Sequence, residues 1–303
     1  MANLRVVYQN IADLTTATIT ASSTASAATA VANLKKDIKS LVWRSSVSST
    51  ASIRANLVVT LPSNVVKSVI LAFTNLSVVA TIRVRGFTGG APILSGTVDS
   101  PSYSLPGTTV FDSGTVLANP YQGTGFSNWN NDSYYPATIA TTTYTERKVY
   151  SRVWIPAGVA CTSLLIEIID TNNINRYVEA SRLIIGDYWS PTYNTSFGLS
   201  ITPKDTSETN RSEAGDLLTS NGIIYNVLNF DLKYMSPTDR VVFAKIIKIV
   251  GAQKPLFISL FPDNTEDWEK EQLFQIYGKL SQLYGITHPI FGNYSSQIEI
   301  EEI

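Results

Sequence analysis

Few residues of this sequence could perform nucleophilic or metal-dependent chemistry. It contains one histidine, His288, and one cysteine, Cys161. A Ser-His-Asp or Cys-His arrangement needs an imidazole base that a third group orients, and His288 directly precedes Pro289 in a predicted loop. Cys161 begins an apolar run, so we predict a small core residue that forms no intrachain disulfide. The sequence therefore favours a protein without a catalytic triad or a zinc site.

Pairs of carboxylates are the remaining route to catalysis, because a glycosidase needs two carboxyl groups and no histidine. Glu167 is predicted to face outward from a strand and Asp170 to end that strand, so solvated edge residues are the interpretation we favour. The candidate carboxylates in this part of the chain are Glu167, Asp170, Glu179 and Asp187. We therefore expect no enzymatic activity. An enzyme that acts on glycans through two carboxylates is the hypothesis that we rank below the two non-enzymatic functions given at the end of this section.

Two other segments match ligand-binding motifs in composition only. The acidic residues at positions 263, 266, 267 and 269 miss the spacing of an EF-hand calcium loop and favour the start of a short helix. The glycine-rich segment at 86–90, GFTGG, fits no phosphate-binding fingerprint. The sequence therefore predicts neither a cofactor nor a metal site.

Large aromatic side chains within a polar segment are a better lead to a binding surface. Trp129, Tyr134 and Tyr135 lie in a stretch rich in Gly, Ser, Thr and Asn. Exposed rings of this size normally contact something that covers them. They could stack on sugars, contact a neighbouring subunit or fold back on their own domain, and the sequence leaves these three interpretations open.

Composition and charge exclude several classes of partner. The chain has 303 residues, of which 44% are hydrophobic and 16% are charged, and its net charge is −1. This near-neutral balance provides no basic field for nucleic acid or an anionic membrane. No apolar run reaches the roughly 20 residues that span a bilayer, and the first ten residues do not form a signal peptide. We expect synthesis in the cytoplasm, with any extracellular role reached by assembly.

The length and the strand patterns predict a mainly β protein with two β-sandwich domains. The first domain, 1–185, is predicted as a jelly-roll sandwich that begins with a strand at Leu4–Tyr8. Alternating apolar residues from Ile53 to Val59 predict a strand, and Leu61–Asn64 is predicted as a turn. Further strands are predicted at 149–155 and 163–169. A loop-rich insertion is predicted at about 88–145, where Gly, Pro, Ser and Thr dominate.

The second domain, 186–303, is predicted as a β-sandwich with one packed helix at about 236–250. Ser236 is a typical N-cap, Pro237 fits the first helical position and Gly251 ends the helix. Before the helix, period-two alternation of Leu228, Phe230, Leu232 and Tyr234 predicts a half-buried strand.

A long polar loop precedes that strand. It is predicted to span Thr202–Leu217, where it could bind a neighbouring subunit by edge pairing or polar contacts. Its possible contact residues are Asp205, Asn210 and Arg211.

Two segments carry a resemblance to a known family. The first is Val42–Ser45 followed by LVVTLPSNVVKSVILAFTNLSVVATIRVRG. The second is RLIIGDYWSPTYNTSFGLSITPKDTSETNRSEAGDLL, then a helix, a strand ending at Asp263, and YGKL. Together they resemble structural proteins of the tail tip or baseplate of long-tailed bacteriophages. The resemblance implies a discoidin-type, galactose-binding-like jelly roll and a ring-forming β domain, with no catalysis. It also implies a homo-oligomeric ring around the tail axis that contacts the tube, the tip and fibres.

Two functions from different classes remain as hypotheses. The first is a non-enzymatic virion structural component of the tail that assembles with itself and with other tail proteins. The alternative is a carbohydrate-binding adhesin that uses the exposed aromatic residues of the insertion to bind a host-surface glycan. In discoidin-type relatives the sugar-binding loops lie at one end of the roll, where this chain carries its insertion. Neither hypothesis includes sequence-specific nucleic-acid recognition or membrane insertion.

Overall fold

The computed structural model describes residues 2–119, 149–263 and 268–303. The chain forms two compact units. The first unit contains Gln9–Tyr188 and Thr265–Gln272, and the second contains Met1–Tyr8, Trp189–Asn264 and Leu273–Ile303. The predicted fold class is confirmed, because both units are built from antiparallel sheets. Among the described residues, one α-helix is longer than two turns.

The strands are numbered along the chain. Those of the first unit are β2 Thr18–Ala21, β3 Trp43–Arg44, β4 Ile53–Thr74, β5 Thr81–Thr88, β6 Ile93–Gly96, β7 Pro101–Ser104, β8 Thr108–Asp112, β9 Val116–Leu117, β10 Val149–Asp170, β11 Glu179–Ala180 and β12 Arg182–Gly186. Those of the second unit are β1 Arg5–Val7, β13 Ser200–Asp205, β14 Thr209–Arg211, β15 Leu217–Thr219, β16 Ile224–Met235, β17 Leu256–Ser259, β18 Gln275–Leu280, β19 Thr287–Ile290 and β20 Asn293–Glu302.

The helices of the described residues are short. The first unit has two 3-10 helices, at Ile11–Asp13 and Val31–Lys35. Helix α1, Pro237–Val250, belongs to the second unit. Helix α2, Trp268–Leu273, lies at the chain segment that returns to the first unit. No helix in the described ranges has the length and apolar character needed to cross a bilayer.

Two long strands organise the first unit. β4 and β10 pair antiparallel along their whole length within a sheet of order β12-β4-β10-β5-β8. The sheet curls on itself, so Leu57 and Val59 from one half of β4 share a core with Val69 and Leu71 from the other half. The alternation that predicted a strand at Ile53–Val59 is confirmed, since its apolar positions are the ones that this core buries.

The predicted turn at Leu61–Asn64 is wrong, because β4 continues through it. The two strands predicted at 149–155 and 163–169 are likewise a single strand, β10. The ladder between β4 and β10 shifts register between Trp154 and Val159 and again between Cys161 and Ser163. Such irregularities bend a strand without ending it, and they allow the ladder to pass Pro62, which has no N–H to donate.

The described part of the predicted insertion is not a plain loop. Residues 88–119 contain the four short strands β6 to β9. β8 and β9 pair with β5, and β6 and β7 form a hairpin with each other. Strands of two to five residues rich in Ser, Thr and Gly show no usable periodicity, which explains why the sequence predicted a loop. The rest of the predicted insertion, from 120 onward, lies outside the described residues up to 148.

The second unit is a seven-stranded antiparallel sheet of order β1-β17-β18-β20-β16-β13, with β19 paired to β20. The strand predicted at Leu4–Tyr8 as the start of the first domain lies here instead. Val6 pairs with Ile258 of β17, so β1 belongs to the same sheet as β20. A short apolar strand does not indicate its partner, because pairing between residues so far apart is decided by the tertiary structure.

Helix α1 covers one face of this sheet. Its predicted start is confirmed by a capping box in which the Ser236 hydroxyl accepts from the Asp239 amide at 3.1 Å and the Asp239 carboxylate accepts from Ser236. The helix buries Phe243, Ile246 and Val250 against the core. Val242 is half-buried and packs against the same core, and Ile249 is half-buried.

The alternation predicted for β16 is confirmed over most of its length. Leu228, Phe230 and Leu232 are buried beneath α1. Tyr234, predicted on the same face, is exposed. The ladder with β20 shifts register between Leu232 and Met235, so Met235 becomes the buried residue instead.

The described residues also confirm the predicted environment of Cys161. Its side chain is buried in the core of the first unit. Burial raises the pKa of the thiol to about 11, so the thiol is protonated at neutral pH and unreactive.

Candidate functional site

The four candidate carboxylates each have their own partners. Glu167 pairs with Arg85 at 2.8 Å, Glu179 with Arg44 at 2.7 Å and Asp187 with Lys67 at 2.9 Å. Asp170 is fully buried and accepts hydrogen bonds from the amide and hydroxyl of Ser77, the amide of Asn172 and the side chain of Asn173. These hydrogen bonds satisfy the buried carboxylate of Asp170, which therefore stabilises the chain at the end of β10.

His288 belongs to a stack of rings in the second unit. Its imidazole lies 4.6 Å from the ring of Tyr294, with 16° between the two planes. The Arg240 guanidinium lies 4.5 Å from the same Tyr294 ring and donates to its hydroxyl at 2.9 Å. Within the described ranges, no three His, Cys, Asp or Glu side chains are grouped so that they could hold a metal ion.

A polar cluster on the outer face of the first sheet holds the β6–β7 hairpin. The Tyr103 hydroxyl, on β7, donates to Glu167 at 2.7 Å, and both groups accept from Arg85. The apolar residues beneath the hairpin, Val58 and Leu165 among them, form a small second core. Because Arg85 and Glu167 are largely buried and paired, this cluster stabilises the hairpin rather than presenting a free surface.

A more accessible ion pair lies beside this cluster. Arg83 on β5 and Asp112 on β8 form a bidentate contact, with 2.9 Å from the arginine Nε to Oδ1. Each side chain is about a third exposed. The hydrogen bond from Arg83 lowers the pKa of Asp112 to about 2, so the carboxylate stays charged down to acidic pH.

The predicted polar loop of the second unit is a two-stranded hairpin that we call the arm, residues 205–224. Its first pair, Asp205 with Ile224, continues the ladder of β13 on β16. The Thr206 amide donates to the Ile223 carbonyl at 3.2 Å, and β14 then pairs with β15. The legs of the arm, 205–211 and 217–224, have seven and eight residues, so the arm extends about 25 Å. The prediction of a loop is therefore wrong in conformation.

Short-range hydrogen bonds explain why this polar sequence forms a hairpin. Asp205 accepts from the Ser207 amide at 2.8 Å and from its hydroxyl at 2.7 Å. Gly222 crosses so close to Ser207 that a Cβ would lie 2.1 Å from the Ser207 nitrogen, so only glycine fits there. At the tip, Arg211 donates to the Gly215 carbonyl at 3.0 Å.

Three predicted contact residues lie on the arm. Asp205 lies at its base, and Asn210 and Arg211 lie on β14. All three are exposed. The other three predicted contact residues, Trp129, Tyr134 and Tyr135, lie outside the described residues.

The sequence analysis missed the apolar side chains of the arm. Between residues 205 and 224 every side chain is exposed except the half-buried Ser207 and Ser212. The exposed set includes four large aliphatic residues, with exposed fractions of 60% for Leu217, 59% for Leu218, 74% for Ile223 and 64% for Ile224. The pairs Leu217-Leu218 and Ile223-Ile224 were visible in the sequence, but only the structure shows that no core among the described residues covers them.

Charge is also unevenly distributed on the arm. It carries four carboxylates, Asp205, Glu208, Glu213 and Asp216, and one cation, Arg211. One positive and four negative charges give a net charge of −3. The arm is therefore an acidic hairpin with exposed leucine and isoleucine side chains.

Comparisons with known proteins give a distant likeness in fold. No family model and no curated protein matches the chain. The family 32 CBM from C. perfringens NanJ in complex with galactose aligns with a TM-score of 0.36 and 12% identity, over 61% of this chain and 99% of that one. The chitosan-binding module 1 of a Paenibacillus chitosanase/glucanase aligns with a TM-score of 0.36 and 13% identity, over 59% and 99%.

A Ruminococcus gnavus GH29 fucosidase in complex with fucose aligns with a TM-score of 0.36 and 10% identity. That alignment covers 61% of this chain and 27% of the fucosidase. At these scores the likeness assigns neither a ligand nor a function to this chain.

Proposed function

We propose that this protein is a non-enzymatic structural subunit that assembles with copies of itself, and that its setting is the tail tip or baseplate of a long-tailed bacteriophage. The observation that supports self-assembly is the arm, with its four exposed aliphatic side chains. The phage setting follows from the sequence resemblance alone. It implies further contacts with other tail proteins and a location in the virion.

The arm supports assembly for an energetic reason. A two-stranded hairpin is marginally stable in water unless another surface covers one of its faces. The described residues give the arm no such cover, since its side chains are exposed along both strands. β13, which leads into it, is also the outer strand of its sheet, and an outer strand offers unpaired backbone groups to another chain.

The absence of catalysis is part of the same proposal. The candidate carboxylates of the first unit have cations or hydrogen-bond donors as partners. His288 stacks on Tyr294. These contacts are those expected of groups that stabilise a fold.

Replacing Leu217 and Leu218 together by serine tests the role of the arm. We expect the natural chain to form a closed oligomer, and the double variant to dissociate with a Kd raised at least ~30-fold, as expected when interface residues worth about 2 kcal/mol are removed. The measurement is light scattering across a dilution series.

The control is Ile174→Ser, which removes an aliphatic side chain that is 75% exposed in the first unit. It should assemble like the natural chain. A natural chain that stays monomeric throughout, or a double variant that assembles unchanged, would overturn the proposal of self-assembly through the arm.

A second candidate function is carbohydrate binding by the first unit. The observation that favours it is the Arg83–Asp112 pair, which presents a planar guanidinium and a carboxylate that are each about a third exposed. A few precisely placed polar groups of this kind orient small ligands by hydrogen bonds. This candidate rests on these side chains and not on the solved structures, whose TM-scores are too low to transfer a ligand.

A glycan screen with the double variant Arg83→Gln, Asp112→Asn tests this candidate. We expect the natural chain to bind one class of glycan and the variant to bind it at least about tenfold more weakly, a loss of roughly 1.4 kcal/mol. The matched control is Lys204→Gln, Glu301→Gln, which neutralises a similarly exposed pair in the second unit. A screen without binding, together with no thermal shift in the presence of sugars, would remove carbohydrate binding as a candidate.

A further inference from the structure

Helix α1 lines one side of an open groove. Its apolar lining comprises Val241, Ala244 and Ile249 of the helix and Ile286, which precedes β19. Val241 is exposed, and the other three are half-buried. Ile249, which is not part of the core of the second unit, thus lines this groove.

The remaining side chains of the groove are all basic. They are Arg240, Lys245 and Lys248, and no carboxylate of the described residues lines the groove. Arg240 is held in place by Tyr294, whose ring and hydroxyl it contacts. Lys245 and Lys248 are exposed. The groove therefore combines three positive charges with an apolar floor.

The arm has the complementary character. It bears a net charge of −3 and displays the exposed pair Leu217-Leu218 between Asp216 and the end of β15. Opposite charges on two surfaces favour their association and fix its orientation, while burial of the leucine on the facing side of β15 supplies the affinity. The two surfaces thus match in both sign of charge and apolar content.

The dimensions of the two surfaces are compatible as well. Helix α1 has 14 residues, which corresponds to about 21 Å. The arm extends about 25 Å from its sheet, so the arm as a whole is long enough to lie along the groove. In the single chain the arm remains exposed, so it is not seated on the groove of its own copy.

We infer that the acidic arm of one copy of this chain docks in the basic groove of α1 on the next copy. The inference rests on the proposed self-assembly and specifies its interface. The two surfaces are different patches of the same chain, so the contact is heterologous, and repeating it produces a closed ring or an open filament. Its electrostatic part also makes assembly sensitive to salt.

Charge reversal on each surface tests this interface. The groove variant is Lys245→Glu, Lys248→Glu, and the arm variant is Glu208→Lys, Asp216→Lys. We expect each variant alone to self-associate at least about tenfold more weakly than the natural chain. Mixed together, the two variants should co-assemble into alternating oligomers, because the intact groove of one pairs with the intact arm of the other and the reversed groove pairs with the reversed arm. A chain that carries all four changes should regain assembly.

The control is thermal unfolding of each variant, whose midpoint should match that of the natural chain if the fold is kept. If the groove variant assembles like the natural chain, the occupant of the groove is not the arm, and the inference is overturned. It is also overturned if the mixture gives no mixed assembly and the fourfold variant stays dissociated. The proposed function would survive either result provided that Leu217→Ser, Leu218→Ser still abolishes assembly, so the two failures are distinguishable.

Discussion

Replacing Glu271 by glutamine is expected to lower the free energy of unfolding of the first unit by about 3–5 kcal/mol. Glu271 on α2 is fully buried and forms a bidentate pair with the largely buried Arg152 of β10, with 2.8 Å from the arginine Nε to Oε1. Glutamine keeps the shape of the side chain but removes its charge. The Arg152 guanidinium would then be buried without a counter-charge, which is the costly state for an ion pair of this kind.

The matched control for this change is Glu301→Gln in the second unit. Glu301 pairs with Lys204 at 2.9 Å, but the two side chains are 39% and 44% exposed. Water screens such a pair, so its loss should cost about 0–1 kcal/mol. Hydrogen exchange of the amides of β10 and α2 measures the loss in the first unit separately from the second. Equal effects from the two variants would show that the Arg152–Glu271 pair is not a buried ion pair in solution.

The second large effect is expected from Trp189→Ala, at about 3–5 kcal/mol in the second unit. Trp189 is buried and stacks on Phe243 of α1, with ring centroids 5.8 Å apart and an angle of 30° between the planes. Its backbone exchanges two hydrogen bonds with Val6 of β1, at 2.8 and 2.9 Å. Removing the indole leaves a cavity beneath α1, which would weaken both the helix and the packing of the first strand.

Two further variants separate this cavity effect from a general loss of an aromatic ring. Trp189→Phe should cost clearly less than Trp189→Ala, because the smaller ring still fills part of the space. Phe197→Ala removes a fully exposed ring from the same unit and should change the free energy of unfolding by no more than about 0.5 kcal/mol. Urea denaturation measures the free energy of unfolding of all three variants, and hydrogen exchange of the α1 amides in the native protein assigns the loss to the second unit. A cost for Trp189→Ala no larger than that for Phe197→Ala would contradict the predicted packing.

Trp189→Ala and Glu271→Gln are expected to differ in their effect on the proposed self-association. Trp189 supports α1, which carries the basic groove, so Trp189→Ala should also weaken self-association. Glu271 lies in the first unit, so Glu271→Gln should leave self-association of the folded protein unchanged.

Local patterns in the sequence predicted those elements whose formation depends on neighbouring residues. The helix at Pro237–Val250 begins with Ser236, Pro237 and Asp239, and these residues cap it through contacts within one turn. The strands that include Ile53–Val59 and Leu228–Leu232 followed from period-two alternation, because each has one face toward a core. Burial of Cys161 followed from the apolar run that it begins.

Other features depended on partners far away along the chain. Val6 pairs with Ile258, and Arg152 pairs with Glu271. In neither pair do the neighbouring residues in the sequence indicate which partner is contacted. The insertion of α2 into the first unit likewise interrupts a stretch that the sequence assigned wholly to the second domain.

The candidate interface shows the same division. By itself, the sequence determined the chemistry of the two surfaces, the acidic stretch with Leu217-Leu218 and the basic residues of α1, because composition and helical spacing are local properties. Only the tertiary structure decided that the polar stretch is a hairpin that the described residues leave uncovered, and that Ile249 and Ile286 line a groove. Exposure is set by how the whole chain packs, since a leucine at position 217 is the same residue whether a core covers it or the solvent does.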